Sequence, residues 1–256
     1  MTTWDPTQYR KFAGQRLRPA LDLVAAIPLE APATIVDLGC GEGRVTRVLR
    51  ERWPEAGLTG IDDSEAMLAV AARELPDVEW RRGNLADWRL EIPVDLLFSN
   101  AALHWLPDHA TLIPHLFRRV APGGVMAIQM PRNFDQPSHT AIHAVAEAGP
   151  WRERLAPLLR PTPVAAPAAY HGWLVDEASH VDIWETTYLQ VLEGEDPVAE
   201  WTKGTWLKTF LDALDPGERE AFEAAYRARV AVAYPKDAHG RTLFPFRRLF
   251  VLATRR

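Results

Sequence analysis

The chain has 256 residues, 47% of them hydrophobic and 25% charged, which is ordinary for a globular protein and enough for one sizeable α/β domain. A net charge of -5 argues against nucleic acid as the main partner, because phosphate binding needs a basic face. The single cysteine, Cys40, excludes an intrachain disulfide and a cysteine metal cluster, and we expect no metal. No signal-peptide pattern and no apolar run of about 20 residues is present, which predicts a cytoplasmic protein with no membrane partner.

The first half of the sequence predicts helices and strands in alternation. A helix is predicted over 7–27, ending at Pro28, and Ser64 is the expected N-cap of a later helix. Strands that alternate with helices of about 10–15 residues imply right-handed crossovers and a parallel sheet. The predicted strands are 34–38, 58–61, 78–82, 95–99 and 125–130; the predicted helices are 44–52, 65–75 and 109–120, with a turn at 121–124.

The pattern loosens after Met130. We predict helices over 138–148, 198–214 and 216–233, strands over 181–188 and 249–253, and a rigid connection where prolines cluster between 157 and 167. The expected fold is a Rossmann-like, mostly parallel seven-stranded sheet with helices on both faces and a small helical lid. Within a single domain, 1–131 would hold the N-terminal helix and the cofactor-binding half, and 132–256 the rest of the sheet and the lid.

The strongest chemical signal is a strand that runs into three glycines, Val36-Asp37-Leu38-Gly39-Cys40-Gly41-Glu42-Gly43. The dinucleotide fingerprint is G-x-G-x-x-G, in which a helix N-terminus receives a pyrophosphate. Here the spacing is G-x-G-x-G, with Asp37 inside the strand. S-adenosylmethionine has no phosphate, and its cationic methionine ammonium suits Asp37. A plain tight turn and a nicotinamide site are the weaker interpretations.

Three further positions fall at predicted carboxyl ends of strands, where open α/β sheets bind ligands. Asp62 would accept hydrogen bonds from the ribose hydroxyls. Asn84, with the backbone amide of Leu85, would contact the adenine edge, and Asn100-Ala101 would lie near the transferable methyl group. Cys40 is interpreted as a small wall residue rather than a nucleophile. The predicted cofactor-binding residues are Asp37, Gly39, Cys40, Gly41, Gly43, Asp62, Asp63, Met67, Asn84, Leu85, Asn100 and Ala101.

These features resemble the class I methyltransferase family over residues 34–130, which implies S-adenosylmethionine as cofactor and S-adenosylhomocysteine as its product. Two departures are Glu42-Gly43-Arg44 in the loop and Asn84 where an aspartate is common. The D/N-P-P-Y-like turn of nucleic-acid amino methylation is missing after the fourth predicted strand, where the sequence is Ser99-Asn100-Ala101-Ala102. A small-molecule acceptor is therefore expected.

The whole chain is similar to the trans-aconitate 2-methyltransferase family. The matching segments include 4–20, 98–109, 125–131, 149–152, 181–188, 200–205 and 241–250, with His104-Trp105-Leu106-Pro107-Asp108 among them. The resemblance implies methyl-ester formation on a carboxylate of trans-aconitate or a similar small polycarboxylic acid. No nucleic acid and no obligate protein partner is implied.

A carboxylate is already ionised at pH 7, so its methylation requires no general base. His104 and Trp105 are accordingly predicted as pocket walls, and cations are needed for the other carboxylates. The candidate substrate-binding residues are Tyr9, Lys11, Arg16, His104, Trp105, Arg132, Arg152, Lys203 and Arg241. Methylation of a phenol, an amine or another acid stays an alternative, as does a non-catalytic cofactor-binding protein.

Overall fold

The computed structural model describes residues 13–85 and 92–256, with side chains from Leu17 onward. Ten α-helices lie in this part of the chain. They are α1 (Ala13–Ala26), α2 (Arg44–Arg52), α3 (Glu65–Glu74), α4 (His109–Phe117), α5 (Pro137–Ala148), α6 (Arg152–Leu155), α7 (Pro167–Leu174), α8 (Pro197–Lys203), α9 (Trp206–Leu211) and α10 (Pro216–Ala233). Short 3-10 turns occur at Leu103–Trp105 and Ala156–Leu158.

The strands form one seven-stranded sheet in the order β3-β2-β1-β4-β5-β7-β6. They are β1 (Thr34–Leu38), β2 (Gly57–Asp62), β3 (Glu79–Arg82), β4 (Val94–Asn100), β5 (Val120–Pro131), β6 (Ala178–Leu192) and β7 (Thr242–Arg255). The pairs β1–β2, β1–β4, β2–β3 and β4–β5 are parallel, whereas β5 and β7 are antiparallel. The predicted mostly parallel, Rossmann-like sheet is confirmed.

The strand order reverses between β1 and β4. The chain moves outward from β1 through β2 to β3, then returns to place β4 on the other side of β1. In open α/β sheets such a reversal opens a crevice outside the carboxyl ends of the two neighbouring strands, and ligands bind there. The loop after β1 and the loop after β4 therefore border the expected site.

The described chain divides into two compact units. The sheet unit comprises Leu17–Pro131, Pro163–Thr186 and Arg248–Arg256, and the helical unit comprises Arg132–Thr162, Thr187–Arg247 and the described part of Met1–Arg16. The helical unit has an apolar core of its own, which includes Trp151, Trp201 and Phe210. The predicted placement of a helical lid over the sheet stays a prediction.

Local sequence signals account for several helix boundaries. Ser64 caps α3 by accepting a hydrogen bond from the Met67 N–H at 3.4 Å, as predicted. At the start of α10, Asp215 and Glu218 form a reciprocal capping box, and Pro216 occupies the first turn. Helix α10 has the bounds predicted for it.

Four predicted elements differ clearly from the structure. The helix predicted over 198–214 is divided into α8 and α9, because Gly204 caps the end of α8 and Thr205 has a non-helical backbone. The turn predicted at 121–124 lies inside β5, where the register moves from Val94 opposite Val120 to Leu96 opposite Val125. The extra residues form an irregularity within the strand rather than a turn before it. Strands β6 and β7 are also longer than predicted.

Within residues 13–85 and 92–256, no helix is both long and apolar enough to cross a bilayer. The same residues contain no group of three or more histidine, cysteine, aspartate or glutamate side chains able to hold a metal ion.

Candidate cofactor and acceptor site

The glycine loop after β1 closely approaches the loop after β4. Gly39 has φ 77°, and a Cβ built on it would lie 2.1 Å from the Cβ of Ala102 and 3.3 Å from Cδ1 of Leu85. A side chain at this position would overlap with its neighbours, so glycine is required there. The loops after β1, β3 and β4 thus meet at Gly39. Their meeting brings together the predicted residues Gly39 and Leu85 and the chain that follows Ala101.

Gly41 differs from Gly39 in its surroundings. Its φ is 55°, and a Cβ built on it would have no heavy atom within 4 Å. The backbone at Gly41 therefore faces open space, and a ligand can approach the peptide plane closely.

Asp62 ties the end of β2 to this loop. Its Oδ2 accepts a hydrogen bond from the Gly41 N–H at 2.9 Å, and its Oδ1 accepts one from the Ser64 N–H at 2.9 Å. A carboxylate has about four lone-pair sites, so each oxygen retains acceptor capacity. Burial raises the pKa of Asp62, while the hydrogen bonds from Ser64 and Gly41 lower it. The side chain is held in place and is still able to accept hydrogen bonds from hydroxyl groups.

Asp37 lies inside the sheet unit rather than on its surface. The residue is 1% exposed, and its Oδ2 accepts a hydrogen bond from Thr46 Oγ1 at 2.6 Å. Burial raises the pKa of Asp37 to about 7, with a further increase from the Asp62 charge, against the lowering effect of the Thr46 hydrogen bond. A positive charge bound nearby would favour the ionised form of Asp37.

Cys40 fits the interpretation as a wall residue. It is buried, and burial together with the charges of Asp37 and Asp62 raises the pKa of its thiol well above its usual range. A thiol that stays protonated is a poor nucleophile.

The loop after β4 has unusual backbone and polar features. Ala101 has φ 53°, a conformation that costs a residue with a side chain on the order of 1–3 kcal/mol. Its N–H donates to the carbonyl of Gln129 on β5 at 2.8 Å. The buried Oδ1 of Asn100 has no hydrogen-bond partner within the described residues. Strain and an unsatisfied acceptor thus coincide at the edge of the crevice.

The next residues form the 3-10 turn that precedes α4. His104 is buried, Trp105 is 37% exposed, and their ring centroids lie 4.7 Å apart. His109 is fixed by two hydrogen bonds, in which Nε2 donates to the Leu103 carbonyl and Nδ1 accepts from the Tyr170 hydroxyl at 2.6 Å. Burial lowers the pKa of His109. The second histidine of the segment is therefore held in place by structural hydrogen bonds, and its lowered pKa favours the neutral ring.

The remaining predicted cofactor residues lie around the ends of β2 and β3. Met67, in the first turn of α3, is half-buried; Asp63 is exposed, and its carbonyl accepts a hydrogen bond from Arg82. Asn84 is exposed and follows Gly83, whose N–H donates to the Asp62 carbonyl at 3.0 Å. Gly43 lies against the ring of Trp80, which a Cβ on Gly43 would approach to 2.9 Å. The polar residues Asp63 and Asn84 thus follow the carboxyl ends of the neighbouring strands β2 and β3.

Sequence relatives agree with this geometry. Residues 35–124 match a family model described as a methyltransferase domain. The chain is 49% identical to the trans-aconitate 2-methyltransferase of Azoarcus sp. (strain BH72), with 100% of both chains covered. It is 48% identical to the enzyme of the same name from Methylobacterium nodulans, covering 100% of this chain and 99% of that one.

The chain belongs to the trans-aconitate 2-methyltransferase family. The enzyme of this name from Streptomyces coelicolor is 47% identical over 98% of this chain and 86% of its own length. The predicted family membership is confirmed.

Solved structures support the fold. The YcgJ protein of Bacillus subtilis superimposes with a TM-score of 0.60 at 12% identity, over 93% of this chain and 98% of that one. A Haemonchus contortus phosphoethanolamine N-methyltransferase, solved with S-adenosylhomocysteine, gives a TM-score of 0.54 at 14% identity over 93% of this chain and 52% of that one. The class I methyltransferase fold expected from the sequence is confirmed.

The predicted substrate cations of the helical unit are in different environments. Lys203 Nζ donates to Glu223 Oε1 at 2.6 Å, and Arg241 is paired with Asp237 at 3.1 Å. Arg152 is exposed, and the Arg132 backbone exchanges two hydrogen bonds with Arg247. Lys203 and Arg241 are thus already bound to carboxylates of the protein. Their assignment to the substrate stays a prediction.

Three predicted substrate residues cannot be placed. Tyr9 and Lys11 lie outside the described residues, as does the side chain of Arg16 in α1. The sequence interpretation missed two buried polar residues of the sheet unit, Gln129 on β5 and Arg248 on β7. A glutamine inside the otherwise apolar run from Val125 to Met130 was the signal that could have identified the first of them.

Proposed function

We propose that this chain transfers a methyl group from S-adenosylmethionine to a carboxylate of trans-aconitate, forming a methyl ester. The observation that carries the proposal is the 49% identity to a relative of that name over the full length of both chains. The site geometry supports it independently, because the residues at the carboxyl edge of β1, β2 and β4 fit the cofactor.

The charge at this edge fits a sulfonium nucleoside. The carboxylates of Asp37 and Asp62 are close enough that the Asp62 charge raises the pKa of Asp37. The Asp62 carboxylate, together with Asp37 once a bound cation favours its ionised form, repels a pyrophosphate and attracts the cationic groups of S-adenosylmethionine. Asp62 would bind the ribose hydroxyls, Gly39 and Gly41 would allow close approach of the backbone, and Asn84 with Leu85 would contact the base. Asn100 and Ala101 would border the reacting end.

When bound, S-adenosylmethionine supplies an electrophilic methyl group on a positively charged sulfur. The protein's task is then to position the acid and exclude water. Neutralising a carboxylate by methylation is favoured in a dry pocket, and correct orientation provides much of the remaining rate enhancement. Buried His104 and its neighbour Trp105 would form part of the wall. No side chain is required to remove a proton, because the acceptor oxygen is already ionised at pH 7.

A mass-spectrometric assay with methyl-deuterated S-adenosylmethionine tests the proposal. The acids are trans-aconitate, cis-aconitate, citrate and isocitrate, with a phenol and an amine as comparators. We expect a single labelled methyl group on trans-aconitate, released as methanol by mild base because it is an ester. Labelling of the phenol or amine without any labelling of the acids would overturn the substrate assignment and leave the methyltransferase class intact.

The proposed mechanism without a general base has its own test. We expect His104→Ala to lower kcat by about ten-fold or less, because only a wall contact is lost. Complete loss of activity at every pH, with cofactor binding intact by calorimetry, would show that His104 has a chemical role.

A further inference from the structure

Three polar side chains lie on one face of the sheet near the reacting end. In the sheet register, Asn100 of β4 is opposite Gln129 of β5, which in turn is opposite Phe250 of β7. Arg248 is opposite Pro131, two residues beyond Gln129. Because side chains alternate between the two faces of a strand, Asn100, Gln129 and Arg248 share a face. We call these three residues the polar row.

The row is joined to the crevice through the backbone. The Ala101 N–H donates to the Gln129 carbonyl at 2.8 Å, and the next residue, Ala102, lies against Gly39. All of these residues belong to the sheet unit. Gln129 therefore lies on the strand next to β4, and the loop after β4 is the one that meets the loop after β1.

Gln129 is buried without using its donor. The residue is 1% exposed, and its Nε2 has no hydrogen-bond partner among the residues the structure describes. The neighbouring Asn100 Oδ1 is a buried acceptor that also has no hydrogen-bond partner among these residues. Buried amides in folded proteins are nearly always paired, so two unsatisfied groups in register require an explanation. A carboxylate placed against this face would provide an acceptor for the unused Nε2 donor.

Arg248 adds a positive charge to the same face. The residue is 5% exposed, and its guanidinium carries a positive charge. Arg248 and Gln129 are diagonal neighbours in the antiparallel pair, at a distance of about 7–8 Å that long side chains span. Phe250, which is opposite Gln129, stacks on Trp184 with ring centroids 4.7 Å apart and gives this face an apolar floor. A low-dielectric floor strengthens hydrogen bonds to charged groups.

A guanidinium and an amide N–H on a dry face are complementary to a carboxylate. The glutamine offers an N–H donor that no described residue uses, and the guanidinium adds a positive charge beside it. We infer that Gln129 and Arg248 bind a non-reacting carboxylate of the acceptor acid and so select polycarboxylates over monocarboxylates. The inference rests on the function proposed above. It assigns substrate recognition to two residues of the sheet unit, next to the reacting end.

The test uses Gln129→Leu and Arg248→Met, which keep side-chain volume and remove the donors. Matched controls are Gln190→Leu, a buried amide on β6, and Arg255→Met, at the carboxyl end of β7. We expect KM for trans-aconitate to rise about 10–100-fold in the first two variants, with kcat changed by about three-fold or less. The KM for the monocarboxylate crotonate should change little. The two controls should behave as wild type.

Calorimetry separates this inference from the proposed function. Trans-aconitate is titrated into each protein saturated with S-adenosylhomocysteine, and S-adenosylhomocysteine binding alone reports whether the variant is folded. Loss of trans-aconitate binding in the two variants supports the inference, even if the wild type methylates a different acid. Unchanged trans-aconitate binding and KM in folded variants would overturn it, even if the wild type forms the expected ester. If Arg248→Met does not fold, Arg248→Lys is used, for which we expect a smaller rise in KM.

Discussion

The Gly41 N–H donates a hydrogen bond to Asp62 Oδ2 at 2.9 Å, which joins the glycine loop after β1 to the end of β2. One side chain thus fixes the loop and still presents acceptor sites. This explains why an aspartate 21 residues beyond Gly41 belongs to the same site. It also means that a change at position 62 should affect the loop and the cofactor together.

Asp62→Asn tests this double role. An amide has a single acceptor oxygen, so one of the two backbone hydrogen bonds is lost and an N–H donor then faces a backbone N–H. We expect the dissociation constant for S-adenosylhomocysteine to rise about 10–100-fold, measured by calorimetry. Asp77→Asn, which alters an exposed carboxylate, is the control. Equal affinities in all three proteins would contradict the role of Asp62.

Gly39→Ala and Gly41→Ala form a matched pair. Both glycines have positive φ, yet only at Gly39 would a Cβ overlap with a neighbour, at 2.1 Å from Ala102. We expect Gly41→Ala to lower the free energy of unfolding by about 1–2 kcal/mol, the cost of its backbone conformation alone. Gly39→Ala should lower it by about 3 kcal/mol or more, because steric overlap is added. Chemical denaturation measures both; equal losses would refute the close approach of the two loops.

The pKa of about 7 for Asp37 predicts a pH-dependent stability. An unfolded aspartate ionises near 3.8, whereas the folded one retains its proton until about 7. The stabilisation that protonated Asp37 gives the fold is therefore complete below pH 3.8 and is lost as the pH rises through 7. The free energy of unfolding falls by about 4 kcal/mol over this range. Asp37→Asn should remove this loss, so the variant should gain stability relative to wild type between pH 5 and 8. Denaturant unfolding at both pH values measures it.

Cofactor binding gives a second measurement on the same residue. A cationic ligand beside Asp37 favours its ionised form, so binding near pH 7 should release a proton. Calorimetry of S-adenosylmethionine in buffers of different ionisation enthalpy measures that release. We expect proton release on binding to the wild type and none on binding to Asp37→Asn. Equal proton release from both proteins would show that the proton comes from another group.

His139 predicts the opposite trend within the helical unit. Burial, aided by the charge of His143, lowers the pKa of His139 from 6.5 to about 4, although the Asp135 charge raises it. The unfolded chain takes up a proton below 6.5 and the folded one only near 4, so stability falls by about 3 kcal/mol as pH drops across that range. In His139→Gln, the free energy of unfolding, measured by chemical denaturation, should change little with pH between 6.5 and 4. His180→Gln, an exposed histidine, should leave it as in wild type.

The sequence predicted best those elements whose local signals agree with their packing. Helix α10 had its predicted bounds because the Asp215 cap and the buried positions Phe222, Tyr226 and Val230 indicate the same helix. The break between α8 and α9 was missed, since apolar residues continue on both sides of Gly204. Periodicity alone does not distinguish one helix from two.

The meeting of the loops at the candidate site was predictable where it depends on strand ends. Gly39, Gly41 and Asp62 occur at the carboxyl ends of successive strands, and topology brings those ends together. Gln129 and Arg248 were missed because they lie within strands, where a polar residue has no local motif. Their shared face follows only from the register between β5 and β7.

The central claim is that the crevice formed by Gly39, Gly41 and Asp62 binds a sulfonium nucleoside rather than a dinucleotide. The most direct measurement is calorimetric titration of the wild-type protein with S-adenosylhomocysteine and, separately, with NAD. We predict saturable binding of one S-adenosylhomocysteine per chain and no heat of binding with NAD. Binding of NAD, or no binding of S-adenosylhomocysteine to the folded protein, would contradict the account.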